Sequence, residues 1–119
     1  MKVALTVWEN RISPLFDSAR MLLIVEISGD AATGRHYETF SYDSPLSRAA
    51  ALSRLDVDTL ICGAISDPFA KTIEGNDITI IPFIAGAVEE VLDAYLRDGL
   101  NDSRFQMPGC ETRLDRVLS

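Results

Sequence analysis

The alternation of apolar and polar positions divides the chain into short elements. Lys2 to Trp8, KVALTVW, and Met21 to Ile27, MLLIVEI, are nearly continuous apolar runs rich in β-branched residues. Runs of that length suit strands buried on both faces better than helices. Glu9 to Arg20, which joins them, contains Pro14 and exceeds an ordinary hairpin connection. Long loops of this kind are places where function concentrates. Ser28 to Gly34 then carries Gly-Asp and Thr-Gly turn chemistry. After it, His36, Glu38 and Phe40 alternate with Tyr37, Thr39 and Ser41, which predicts a third strand antiparallel to the second.

The spacing changes at Ser44-Pro45, an N-cap followed by proline at the first helical position. Leu46, Ala49, Ala50 and Ser53 fall at helical spacing, so a first helix is predicted to end near Leu55 with those residues on one face. Asp58 to Cys62 reads as a short buried strand, and Asp67-Pro68 as the start of a two-turn helix that stops at Gly75-Asn76. Asp77 to Pro82 gives another strand. In the last helix Val88, Val91, Leu92, Tyr95 and Leu96 make one apolar stripe. Glu89 and Glu90 suit its positive N-terminal end, Arg97 suits its negative C-terminal end, and Gly99 closes it.

From the third strand onward strands alternate with helices, which argues a largely parallel sheet with helices on its faces, an α/β fold. No internal repeat is visible. Residues 1–100 read as the domain, and 101–119, with weak periodicity and the stretch QMPGC, as a C-terminal tail expected to be partly flexible.

Composition narrows the function classes. The 119 residues make one domain, and 47% hydrophobic with 24% charged residues is the balance of a globular chain. The net charge of -7 repels a phosphate backbone, so no nucleic-acid partner is expected. No apolar stretch is long enough to span a bilayer, and the short apolar start lacks the pattern of a secretory signal, so a cytoplasmic location is expected. Two cysteines, Cys62 and Cys110, do not make a disulfide framework and would stay thiols there.

The opening KVALTVWENRISPLFDSARMLLIVEI, the turn ICGAIS from Ile61 to Ser66, and the helix GAVEEVLDAYLRDGL from Gly86 to Leu100 together resemble the dinitrogenase iron-molybdenum cofactor biosynthesis family. The likeness lies in their order and spacing over roughly the first hundred residues. It implies a ribonuclease-H-like motif, a five-stranded mixed sheet with one antiparallel strand flanked by helices. It also implies a carrier or scaffold of metal-sulfur clusters, of iron-sulfur, iron-molybdenum or molybdenum-copper type, rather than an enzyme. A relative, the orange protein, holds a molybdenum-copper-sulfide cluster non-covalently. Many members carry His and Gly where this chain has Leu15 and Asp17, so the family's loop histidine has no counterpart here. Cluster donor or acceptor proteins are the implied partners, with the chain acting as monomer or homodimer.

The site expected from an open α/β sheet lies beyond the carboxyl ends of the strands, between the first strand and Asp58 to Cys62. Arg11, Ser13, Cys62, Gly63 and Ser66 are the candidate cofactor-binding residues, and Cys62 and Cys110 the candidate metal ligands. Gly63 and Ala64 would let a ligand approach the backbone, and the helix starting at Pro68 would offer N–H groups to an anion. Arg11 and Arg20 would neutralise its charge. Soft thiolates suit iron, copper(I) and cluster metals, yet a cysteine at a strand end is equally a small core residue, and two cysteines cannot close a four-thiolate cage. His36, the sole histidine, falls on a probable edge strand away from that crevice. Three other functions weigh less. A nuclease needs converging carboxylates, which KVALTVW lacks; a nucleotide sensor needs a glycine-rich phosphate motif, which is absent; an interaction module pairing through an edge strand such as Gly34 to Tyr42 stays open.

Overall fold

A computed structural model describes residues 1–41, 43–97, 100 and 105–107. In chain order the elements are β1 (Lys2–Trp8), β2 (Arg11–Ile12), a 3-10 turn (Phe16–Ser18), β3 (Met21–Ser28), β4 (Ala31–Thr39), α1 (Pro45–Arg54), β5 (Thr59–Ile61), α2 (Asp67–Glu74), β6 (Thr79–Ile81) and α3 (Val88–Leu96). The sheet runs β4-β3-β1-β5-β6, with β2 paired to β1. β5 is parallel to β1 and to β6, while β3 is antiparallel to both β1 and β4. Along that path β3 alone opposes the other strands, so the expected mixed α/β sheet is present with six strands instead of five.

The additional strand is β2. Glu9 and Asn10 have φ of 50° and 65° between the paired residues Trp8 and Arg11, the signature of a two-residue turn with both central residues left-handed. Two residues are too short to show alternation, so the sequence pattern presents Glu9 to Arg20 as one loop.

Two other boundaries differ from the sequence pattern. The β3–β4 turn is only Gly29-Asp30, with Gly29 at φ 65° and Ser28 paired with Ala31. Thr33-Gly34 is a bulge inside β4, because Glu26 pairs with Gly34 and Ile27 with Ala32. In α1 the predicted cap holds: Ser47 N–H donates to Ser44 Oγ, and Ser44 N–H to Ser47 Oγ, each at 3.1 Å. Its buried face, however, is Arg48, Ala49, Ala51 and Leu52, whereas Leu46 is 76% exposed and Ala50 and Ser53 face solvent. An arginine holds the centre of the buried face, and a pattern that counts arginine as polar assigns the wrong phase.

The sheet is covered on both sides. Val3, Leu5, Val7, Leu23 and Val25 pack with Val91 and Leu92 of α3, while Ala4, Leu22, Ile24 and Leu60 pack with Leu52 of α1, Ile73 of α2, Phe16 and Phe40. Each fully buried branched side chain contributes roughly 1.5–3 kcal/mol of transfer free energy, so the alternating faces of β1 and β3 carry much of the stability. Part of the expected tail returns to this body. Phe105 is 3% exposed in the α3-side core, its carbonyl accepts from Ala85 N–H (2.8 Å), and Met107 N–H donates to Phe83 O (3.0 Å). Cys110 and the rest of 108–119 lie outside the described residues, as does Gly99. Among the described residues no helix is long and apolar enough to cross a membrane.

Candidate functional site

The loops after β1, β5 and β6 meet at one edge of the sheet, where the sequence places the crevice. They are stitched together. Ala64 N–H donates to Pro14 O (2.9 Å) and Phe16 N–H to Ala64 O (2.7 Å). Phe83 N–H donates to Gly63 O (2.9 Å), Ile12 N–H to Gly86 O (2.9 Å), and Val88 N–H to Asn10 O (3.0 Å). The N–H groups of Cys62 and Ala64 and the carbonyls of Cys62, Gly63 and Ala64 are thereby engaged within the protein. Phe83 sits in this seam at φ 61°, an uncommon conformation for a bulky residue that costs about 1–3 kcal/mol and is held by its surroundings.

Gly63, Cys62 and the Ser66 N–H are committed to the protein. Gly63 is buried, and a Cβ there would lie 2.5 Å from both Ser13 O and Pro14 O. The close approach that glycine permits is therefore to the β1 loop, not to a ligand. Cys62 is fully buried in the α1/α2-side core, where burial first and the Asp17 carboxylate second push its thiol pKa far up. It is a neutral thiol in the core, and use as a thiolate ligand requires the turn to open. Ser66 stands at the N-cap position of α2 without a side-chain capping hydrogen bond, and its N–H donates to Asp17 Oδ1 (3.2 Å). The protein's own carboxylate stands where the sequence suggests a place for an anion.

The concave surface lies beside this seam. Two adjoining depressions, of about 380 and 330 Å³, share Trp8, Ser13, Ser18 and Arg20. Val7, Glu9, Asn10, Ala19, Met21 and Tyr37 complete the larger, Pro14 and Leu15 the smaller, so one carboxylate, Glu9, stands with Arg20 on the larger wall. Trp8 is 56% exposed at the end of β1, and Tyr37 is 55% exposed on β4. Ser13 is held by Ser13 N–H donating to Thr6 O (2.9 Å). Arg20 meets Asp43 at 3.4 Å, both well exposed, a contact weak enough for the guanidinium to turn toward a ligand. Of the residues proposed from sequence, Ser13 lines the depressions, while Arg11 lies exposed on β2 and lines neither. Trp8, Ser18 and Tyr37 were missed; an isolated tryptophan at the end of a strand is the one signal that could have found them.

Arg48 was missed too. It is fully buried, its guanidinium carbon lies 4.4 Å from the Phe40 ring centre, 5.3 Å from that of Phe16 and 6.0 Å from that of Phe69. Its NH1 donates to Phe16 O at 2.8 Å. Desolvation chiefly, then Arg20, lowers its pKa, with Asp43 and Asp17 opposing, yet a guanidinium stays charged at neutral pH. By gripping Phe16, Arg48 fixes the 3-10 turn that carries Ser18.

His36 lies on edge strand β4, 3.0 Å from Glu38 and away from the depressions. Among the described residues no three His, Cys, Asp or Glu side chains gather closely enough to hold a metal ion. The Trp8 indole N–H, the Ser13 and Ser18 hydroxyls and the Arg20 guanidinium are donors that can instead hold a polarizable anion without covalent bonds.

Several solved structures resemble this one over most of their length. PH0822 superposes with a TM-score of 0.77 at 14% identity, over 82% of this chain and 90% of its own. MJ0327 of Methanocaldococcus jannaschii, provisionally named a dinitrogenase, gives 0.67 at 22% identity over 83% and 90%. TM1290 of Thermotoga, provisionally named a NifB protein, gives 0.65 at 16% over 82% and 89%. At such identities the likeness speaks for the fold. No curated protein matches the sequence. The sequence pattern of the family described as dinitrogenase iron-molybdenum cofactor matches residues 1–98, nearly the whole of the sheet and its helices, and the chain belongs to that family.

Proposed function

We propose that the protein holds an anionic metal-sulfur cluster, or a precursor of one, non-covalently in the depression around Trp8, as a carrier or scaffold in assembly related to the iron-molybdenum cofactor. The observation that carries this reading is the grouping of Trp8, Ser13, Ser18 and Arg20 around two adjoining solvent-open depressions, beside a backbone seam in which Cys62, the cysteine among the described residues, is buried. Sulfide-rich clusters are polarizable and negatively charged. The Trp8 indole N–H, the Arg20 guanidinium and the serine hydroxyls are donors that suit such a surface and its sulfides.

The reading needs no catalytic group. Cargo enters and leaves because the hollow is open, and a donor or acceptor protein can approach from solvent. Family membership supports the type of cargo, and the burial of Cys62 supports holding without a thiolate.

The test is anaerobic incubation of purified protein with iron, molybdate or copper salts plus sulfide, then desalting, visible absorption and metal analysis. The expected result is a coloured protein with stoichiometric metal, retained in Cys62→Ala and lost in the pair Arg20→Ala and Trp8→Ala. Colour lost in Cys62→Ala would reverse the assignment to a thiolate site, and no colour in the wild type would leave a protein-interaction module as the function.

A further inference from the structure

Among the described residues strand β4 ends the sheet, with no strand beside one of its sides. Its side chains are mostly exposed, and from Gly34 to Thr39 it pairs residue for residue with β3 without a bulge. An unbroken, solvent-facing edge of this kind is a template for another strand. The question is which strand fits.

Side-chain complementarity selects a second copy of β4 in one register. In a two-fold antiparallel pair whose axis stands perpendicular to the sheet, one residue opposes itself and its neighbours oppose each other across the axis. Centred on Arg35 the pair sets Arg against Arg, and centred on Glu38 it sets Glu against Glu. Centred on His36 it opposes two histidines and leaves Glu38 facing Gly34. Centred on Tyr37 it opposes two tyrosines, places His36 opposite the partner's Glu38 twice, and sets Arg35 opposite the partner's Thr39. Cross-strand hydrogen-bonding pairs such as an imidazole N–H on a carboxylate, and aromatic pairs, are the favourable ones, and like charges set opposite each other are not. His36 is 54% and Glu38 39% exposed, and they meet at 3.0 Å on one face within the chain, a contact that the dimer exchanges for two of the same kind across the axis. On the other face Arg35 is occupied by Glu89 of α3 at 2.7 Å, which leaves the tyrosines to meet there.

We infer that the protein forms a two-fold dimer by antiparallel pairing of β4 with β4 of a second copy, centred on Tyr37, joining the two sheets into one. Because Tyr37 also lines the larger depression, the dimer brings the two depressions to either side of the axis on one face. The inference stands whether or not those depressions hold a cluster.

The test uses sedimentation of the full chain from about 10 μM to about 1 mM, the range in which an interface smaller than about 1,200 Å² associates. Wild type is expected to dimerise with rising concentration. H36E, which sets carboxylates against carboxylates, weakens the dimer at least tenfold, and the swap H36E/E38H restores it, with thermal melting to verify that both remain folded. In a Cys110→Ser background, Tyr37→Cys is expected to cross-link on oxidation, since opposed Cα atoms about 4.5–5.5 Å apart fit a disulfide. Arg35→Cys is not, because its copy lies four residues, about 13 Å, along the strand. A monomer at every concentration, a dimer indifferent to H36E, or equal cross-linking at both positions would overturn the inference.

Discussion

Gly63→Ala probes the seam between the β1 and β5 loops through a single methyl group. The added Cβ would meet Ser13 O and Pro14 O at 2.5 Å and Pro14 C at 2.8 Å, all backbone atoms that no rotamer change can remove. An ordinary contact needs about 3.4 Å, so the loops must part by nearly an ångström. That movement breaks or stretches the hydrogen bonds of Ala64 N–H to Pro14 O and of Phe16 N–H to Ala64 O, now 2.9 and 2.7 Å. Each is worth roughly 1 kcal/mol, and overpacking adds about 1–3 kcal/mol. The opposing effect, lower entropy of the unfolded chain, is only about 0.4–1 kcal/mol. The clash wins, and a net loss of about 2–4 kcal/mol is expected, a large part of the usual ~5–15 kcal/mol of a domain. Urea denaturation followed by circular dichroism measures it as a lower midpoint at unchanged slope. A variant equal to or more stable than wild type would refute the claim that Gly63 is there for close packing.

Arg48→Met should cost about 2–4 kcal/mol in the same assay, because Phe16 O loses a charged donor inside an aromatic cage; Arg48→Lys should recover little, lacking the planar fork that reaches Phe16 while stacking on Phe40. The Cys62 thiol keeps its proton in the folded protein while the unfolded thiol loses it near pH 8.5, so the unfolded state binds fewer protons above that pH. Stability is therefore unaffected below the unfolded pKa and falls as pH rises beyond it, by at most about 1.4 kcal/mol per unit, a slope that Cys62→Ala should remove in melts between pH 8 and 10. In a Cys110→Ser background, modification of Cys62 by a thiol reagent should follow global unfolding and be slow in native buffer; a rapid native reaction would show that the turn opens.

The fold was legible in the sequence where burial is two-sided. β1, β3 and α3 announce themselves through continuous or periodic apolar residues, and Ser44-Pro45 marks the start of α1 by cap chemistry alone. The phase of α1 was not legible, because Arg48 occupies a core position by virtue of Phe16, Phe40 and Phe69, which are far away in sequence. For the site, the convergence of the Glu9 to Arg20 and Cys62 to Asp67 segments follows from strand order. What they do there does not follow. That Gly63 serves loop contact, that Asp17 occupies the start of α2 and that Cys62 points into the core are outcomes of tertiary packing, and the hollow forms around Trp8 one loop away.

Trp8 is the only tryptophan in the chain and stands at the proposed cargo site, so its emission reports on that site alone. The most direct measurement is an anaerobic titration with soluble thiomolybdate, read by Trp8 fluorescence, in wild type, Arg20→Ala and Cys62→Ala. Saturable quenching in wild type and Cys62→Ala, weakened several-fold in Arg20→Ala and by added salt, is the result predicted for an anion held non-covalently in the depression. Bound metal without change in Trp8 emission, or quenching that vanishes in Cys62→Ala, would contradict it.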